Sequence, residues 1–146
     1  MKRALASLCI TVTLVMLVAA GLASAGGTSP VVTYTVRYVA YPYGSVAQTM
    51  TSCWAQIKDS SDNPLWSANP KVLKLGDGFS YESSNFTSNK APYGVWVQCT
   101  TTDCGMVTKW QAFPSISSNT VRFGAYAVPK GGGNFSCNLV VNTNSP

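Results

Sequence analysis

Histidine is absent from all 146 residues, and charge is scarce: ten Lys or Arg stand against five Asp or Glu. Without histidine the chain lacks the usual general base near neutral pH and the commonest metal ligand. Ser-His-Asp and Cys-His constellations cannot be assembled from it. Also missing is any stretch with the 3.6-residue periodicity of an amphipathic helix. Gly131-Gly132-Gly133 is not followed by Gly-Lys-Ser/Thr, so it reads as a hairpin connection and not as a phosphate cradle. Carboxylates are limited to Asp59, Asp62, Asp77, Glu82 and Asp103. Two would suffice for a glycosidase, but four of the five fall in turn-like sequence, where Asp serves the backbone. Asp59-Ser60-Ser61-Asp62-Asn63 lacks the spacing of a calcium loop. No metal and no cofactor are expected.

The N-terminus carries a targeting signal. Lys2 and Arg3 precede an apolar run from Leu5 to Leu22, and Ala23-Ser24-Ala25 ends it with a small-x-small cleavage site. The run approaches the length of a membrane span, but the cleavage site and the lack of a basic flank after it favour removal. Residues 1–25 are thus read as a secretory signal peptide and 26–146 as one domain, beginning at Gly26. Its 121 residues suffice for a core. Losing Lys2 and Arg3 leaves eight basic and five acidic residues, with no basic cluster. That balance does not point to nucleic acid, and no membrane span remains after cleavage.

Removing Cys9 with the signal leaves Cys53, Cys99, Cys104 and Cys137. An even count in a secreted chain reads as a disulfide framework. A four-thiolate zinc site would need paired short spacings that are absent. Tyr93–Phe113 reads as a hairpin turning at Thr100–Asp103, which sets Cys99 and Cys104 opposite each other. Cross-strand geometry then favours Cys99–Cys104 and leaves Cys53–Cys137.

Alternation of period two marks the strands. Val31–Ala40 is the clearest, followed by Val46–Ile57, with a possible bulge, and a short strand at Leu65-Trp66. Val72–Leu75 and Phe79–Ser83 follow, and Ser84–Pro92 is read as a loop. The hairpin arms, Thr120–Val128 and Phe135–Val141 complete about eight or nine short strands. The expected fold is all-β: an antiparallel β-sandwich, Ig-like or jelly-roll-like, with two disulfides. Val97-Gln98-Cys99-Thr100-Thr101-Thr102-Asp103-Cys104 resembles the disulfide hairpin of the neocarzinostatin family of secreted enediyne-binding apoproteins. That resemblance implies an Ig-like sandwich and is carried no further than fold class, because the family's other cysteine pair closes a short upstream loop.

Aromatics are the rich resource: four Trp, seven Tyr and five Phe. Most alternate along strands and read as core. Tyr41, Tyr43 and Trp66 neighbour prolines and turns, and are the candidate binding residues, since an exposed ring can meet a sugar face or a partner protein. Asn85-Phe86-Thr87 and Asn134-Phe135-Ser136 match the glycosylation sequon. The leading expectation is a secreted, non-catalytic module that binds an extracellular glycan or protein. The alternative is a structural or surface-assembly protein joined through strand edges, and a carboxylate hydrolase ranks third.

Overall fold

A computed structural model describes residues 27–41, 50–74, 76–129 and 137–144. The segment read as a signal peptide, Tyr43 and the glycine run at 131–133 lie outside the described residues. Eight strands follow in chain order: β1 Val32–Ala40, β2 Met50–Lys58, β3 Pro64–Ala68, β4 Glu82–Ser88, β5 Gly94–Thr101, β6 Gly105–Ala112, β7 Thr120–Pro129 and β8 Cys137–Asn142. Among the described residues there is no helix, and hence none long and apolar enough to cross a membrane.

The strands form two four-stranded sheets, ordered β4-β1-β7-β8 and β3-β2-β5-β6. Each presents one face to a shared core, as alternation requires. Tyr34, Val36, Tyr38 and Ala40 of β1 join Val121, Phe123 and Ala125 of β7 from one sheet. Ala55 and Ile57 of β2 meet them from the other, with Val95 and Val97 of β5. The all-β two-sheet expectation holds. Among these eight strands all pairings are antiparallel except β1–β7, which run parallel with Arg37 beside Arg122.

Three expectations are corrected. Ser84–Pro92 is not simply a loop, since β4 occupies Glu82–Ser88 and pairs with β1 from Tyr38↔Glu82 to Val32↔Ser88. Its hydroxyl-rich sequence alternates like any strand, with Ser84 and Phe86 part-buried and Ser83, Asn85 and Thr87 exposed. Among the described residues 72–74, where a strand is expected, there is only an isolated bridge between Ala40 and Val72.

The third correction concerns the hairpin. β5 and β6 pair as far as Thr101↔Gly105, so the turn lies at Thr102–Cys104 and not at Thr100–Asp103. Gly105 closes it with φ +66°, a left-handed conformation that glycine takes without a Cβ clash. Thr101 Oγ1 fastens the turn by accepting the Cys104 N–H at 3.0 Å and donating to the Gly105 carbonyl at 3.1 Å. Cys104 therefore sits within the turn, and Cys99 opposes Val107 on β6 and Cys53 on β2. The observed bridges are Cys53–Cys99 and Cys104–Cys137, replacing the expected Cys99–Cys104 and Cys53–Cys137. The first joins neighbouring strands of one sheet across a Cα–Cα distance of 4.1 Å. The second ties the β5–β6 turn to the start of β8, and so links the two sheets. The disulfide hairpin behind the family resemblance is not formed, and the fold class rests on the strands themselves.

Candidate functional site

From Cys53 onward in β2, past the register shift between Met50 and Ser52, and from Val95 onward in β5, the residues that face the core are the odd-numbered ones and their even-numbered neighbours face out. Cys53, Ala55 and Ile57 are buried while Trp54, Gln56 and Lys58 are part-exposed. Val95, Val97 and Cys99 are buried while Trp96 and Gln98 are part-exposed. Register then fixes the outward neighbours. Trp96 stands opposite Gln56 on one side and Trp110 on the other; Gln98 stands between Trp54 and Thr108; Thr100 opposes Met106. Three of the four tryptophans thus line the solvent face of one sheet on three adjacent strands, spanning about 10 Å.

The face is uncharged over its whole middle. Lys58 stands at its margin, and its ammonium is held by Asp62 at 2.8 Å. Trp110 is seated by the absence of a side chain beneath it: a Cβ built on Gly94 would lie 2.5 Å from its Cζ2. The indole therefore lies across the Gly94 backbone. Tyr93, 52% exposed, extends the surface with its ring centroid 6.4 Å from that of Trp110. Met106 is 64% exposed at the other end. The outcome is a broad apolar floor with the Gln56 and Gln98 amides in its centre, each offering both donor and acceptor groups.

The residues singled out from sequence are not brought together. Trp66 does lie on an edge strand, as its prolines require, but its ring turns inward and it is only 9% exposed. It packs against Tyr38 at 5.1 Å and Phe123 at 6.2 Å between centroids, and its Nε1 donates to Ser84 Oγ. Trp66 is therefore a core residue and is withdrawn as a binding candidate. Tyr43 lies outside the described residues. Tyr41 is on the outer face of the opposite sheet, where its ring meets Tyr126 at 5.0 Å and Phe79 at 5.5 Å, with Tyr81 beyond Phe79. Gly124 again provides the seat, since a Cβ there would come 3.2 Å from the Tyr41 ring. Burial, with the Tyr126 and Tyr81 phenols nearby, pushes the Tyr41 hydroxyl up to about 12.

No family model matches the chain, and no curated protein matches it. Among solved structures, an NMR structure of a protein from Eubacterium rectale is similar over 84% of this chain and 96% of that chain, with 15% identity and a TM-score of 0.38. A likeness at that level supports no argument about either protein's function.

The carboxylates have local structural work. Asp59 Oδ1 accepts the backbone N–H groups of Ser61 and Asn63, each at 2.9 Å, and its Oδ2 accepts the Asn63 amide at 3.0 Å. These bonds, the Asn63 side chain foremost, hold its carboxyl below the usual carboxylate range. Asp77 accepts the Lys74 N–H and Glu82 that of Lys71. Asp103 is exposed in the β5–β6 turn.

Proposed function

We propose that the protein is a secreted, non-catalytic binding module that recognises an extracellular glycan through its outer tryptophan face. The observation that carries the reading is the placement of Trp54, Trp96 and Trp110, part-exposed, around Gln56 and Gln98. Sugar rings have an apolar C–H face and a polar hydroxyl rim. Indole rings match the first, and primary amides match the second. A flat field without charge suits a neutral polysaccharide chain better than an acidic protein. The local hydrogen bonds of Asp59, Asp62, Asp77 and Glu82 fit a binding role better than a hydrolytic one. The two disulfides fit an oxidising compartment, in keeping with a signal peptide removed before Gly26.

The test is binding to a panel of neutral polysaccharides, including cellulose, chitin and xylan, followed by titration of soluble oligosaccharides from any hit. Trp54→Ala, Trp96→Ala and Trp110→Ala should each weaken binding about tenfold, or about 1.4 kcal/mol, with melting temperatures close to the parent. Binding that survives all three substitutions, or no binding across the panel, would refute the assignment.

A second reading has one observation in its favour. The edge strands β6 and β8 lie side by side along a groove of about 740 Å³ lined by Val107, Lys109, Leu139 and Val141 among others. Free strand edges can join copies of a protein. Concentration-dependent self-association on a sizing column would favour that structural role.

A further inference from the structure

The chain has three arginines, Arg3, Arg37 and Arg122. The last two are direct neighbours in the parallel register of β1 and β7, and both are exposed on the outer face of that sheet. Adjacent strands are about 4.8 Å apart, so two cationic stems rise side by side. Like charges placed directly opposite one another disfavour a sheet, and a neighbouring acid normally offsets them. Among the described residues no acid does so: all five Asp and Glu side chains belong to them, and the single ion pair there is Lys58–Asp62. The neighbour of Arg37 on the β4 side is Ser83.

The surroundings are those of a ligand site. The Arg37 guanidinium lies over the Tyr81 ring, 5.5 Å from its centroid, a contact that holds the cation in place. The Tyr81 hydroxyl is buried without a hydrogen-bond partner. Arg122 borders a cavity of about 330 Å³ whose rim carries Ser117, Ser118, Thr120 and Asn144. The backbone there is set by a tight turn, with Ser118 and Asn119 at φ +51° and +52°.

We propose that Arg37 and Arg122 form an anion-binding site for an extracellular hydroxylated polyanion, carrying carboxylate or phosphodiester groups, on the face opposite the tryptophans. A carboxylate or phosphodiester group would bridge the two guanidinium groups, whose planar forks suit such oxyanions. Hydroxyls of the same polymer would meet the Ser117, Ser118, Thr120 and Asn144 rim beside Arg122. Carboxylate and phosphodiester share the recognising chemistry, and the probe separates them. The site is independent of the tryptophan face: its ligand is charged, and it occupies the other sheet.

The experiment uses the whole secreted chain with two probes, polygalacturonate for carboxylate and poly(glycerol phosphate) for phosphodiester, at about 0.02 M and about 0.2 M salt. The expected result is binding of at least one polymer, weaker at the higher salt. Arg37→Gln/Arg122→Gln should reduce it tenfold or more, and Arg122→Lys, which keeps the charge but loses the fork, by a smaller factor. Thermal melts control for folding, and the double variant should melt no lower than the parent because a like-charge pair is relieved. Arg122→Gln alone provides the same test should the double variant not fold. Failure of both polymers to bind at low salt overturns the proposal, as does unchanged binding by the double or single glutamine variant.

Discussion

Gly94→Ala tests the tryptophan face from below. A methyl group at this position would sit 2.5 Å from Cζ2 and 2.8 Å from Cη2 of Trp110, and 2.8 Å from the Gln111 carbonyl oxygen. Two of these atoms belong to a ring that can tilt away, but the third is backbone of the paired strand. The indole must leave its seat and β6 must shift as well. Overpacking of this kind costs about 1–3 kcal/mol. Alanine also restricts the unfolded chain, which returns about 0.4–1 kcal/mol. A net loss of about 1–2 kcal/mol should lower the melting temperature by about 3–8 °C. Glycan affinity should fall about as far as in Trp110→Ala, although Gly94 itself would not touch the ligand. Thermal melts and titrations of the two variants side by side make the comparison. If Gly94→Ala melts within a degree of the parent and binds as well, Trp110 does not rest on Gly94 and the derivation of the face fails.

The disulfides separate residues 46 and 33 apart in sequence, and the chain-entropy model gives each about 4 kcal/mol. Removing either pair by double alanine substitution should therefore be costly, and more so for Cys53/Cys99, whose sulfurs are buried in the core. Non-reducing peptide mapping checks the pairing directly. Trp66→Ala should cost about 3–5 kcal/mol as a core ring without a specific effect on ligand, read by chemical denaturation. In an alkaline spectrophotometric titration one phenol, Tyr41, should stay protonated until about pH 12. Unfolded, it would ionise near its ordinary value of 10.0, so the folded form holds more protons between those limits and its stability falls as pH rises through that window.

Period two was the most readable signal in the chain. Val32–Ala40 announces β1 because every second residue is large and apolar. The same rule, followed to its end, would have found the site. Val95, Val97 and Cys99 share one face, so Trp96 and Gln98 must share the other, and in a two-layer fold that other face meets water. Reading every aromatic that alternates along a strand as core, without asking which face it shares, hid this. Trp66 misled in the opposite sense, since its flanking prolines do mark an edge strand, yet an edge strand still has an inward side. The hairpin register was lost by three positions, Cys99 facing Val107 and not Cys104, because its turn is dictated by the left-handed glycine at 105, and the cysteine pairing followed the register. β4 escaped notice because its serines and asparagine have low strand propensity, and its place is set by pairing with β1. The Arg37–Arg122 juxtaposition was out of reach, since it depends on a parallel pairing between residues 85 positions apart, from Arg37 to Arg122.

That parallel pairing also governs the order in which the molecule can be completed. β1 is synthesised before the other strands, but its partner β7 begins only at Thr120, after both strands of the central hairpin have been made. Until then one long edge of β1 stays open, and β4 can cover only the other. Contacts so distant along the chain slow folding, because the intervening loop must be closed before they form. The earliest of these strands is thus among the last to be enclosed, and the incomplete chain passes through a stage with a row of unpaired backbone N–H and C=O groups along β1. During that stage the stretch from Val32 to Ala40 is the segment most open to pairing with a wrong strand.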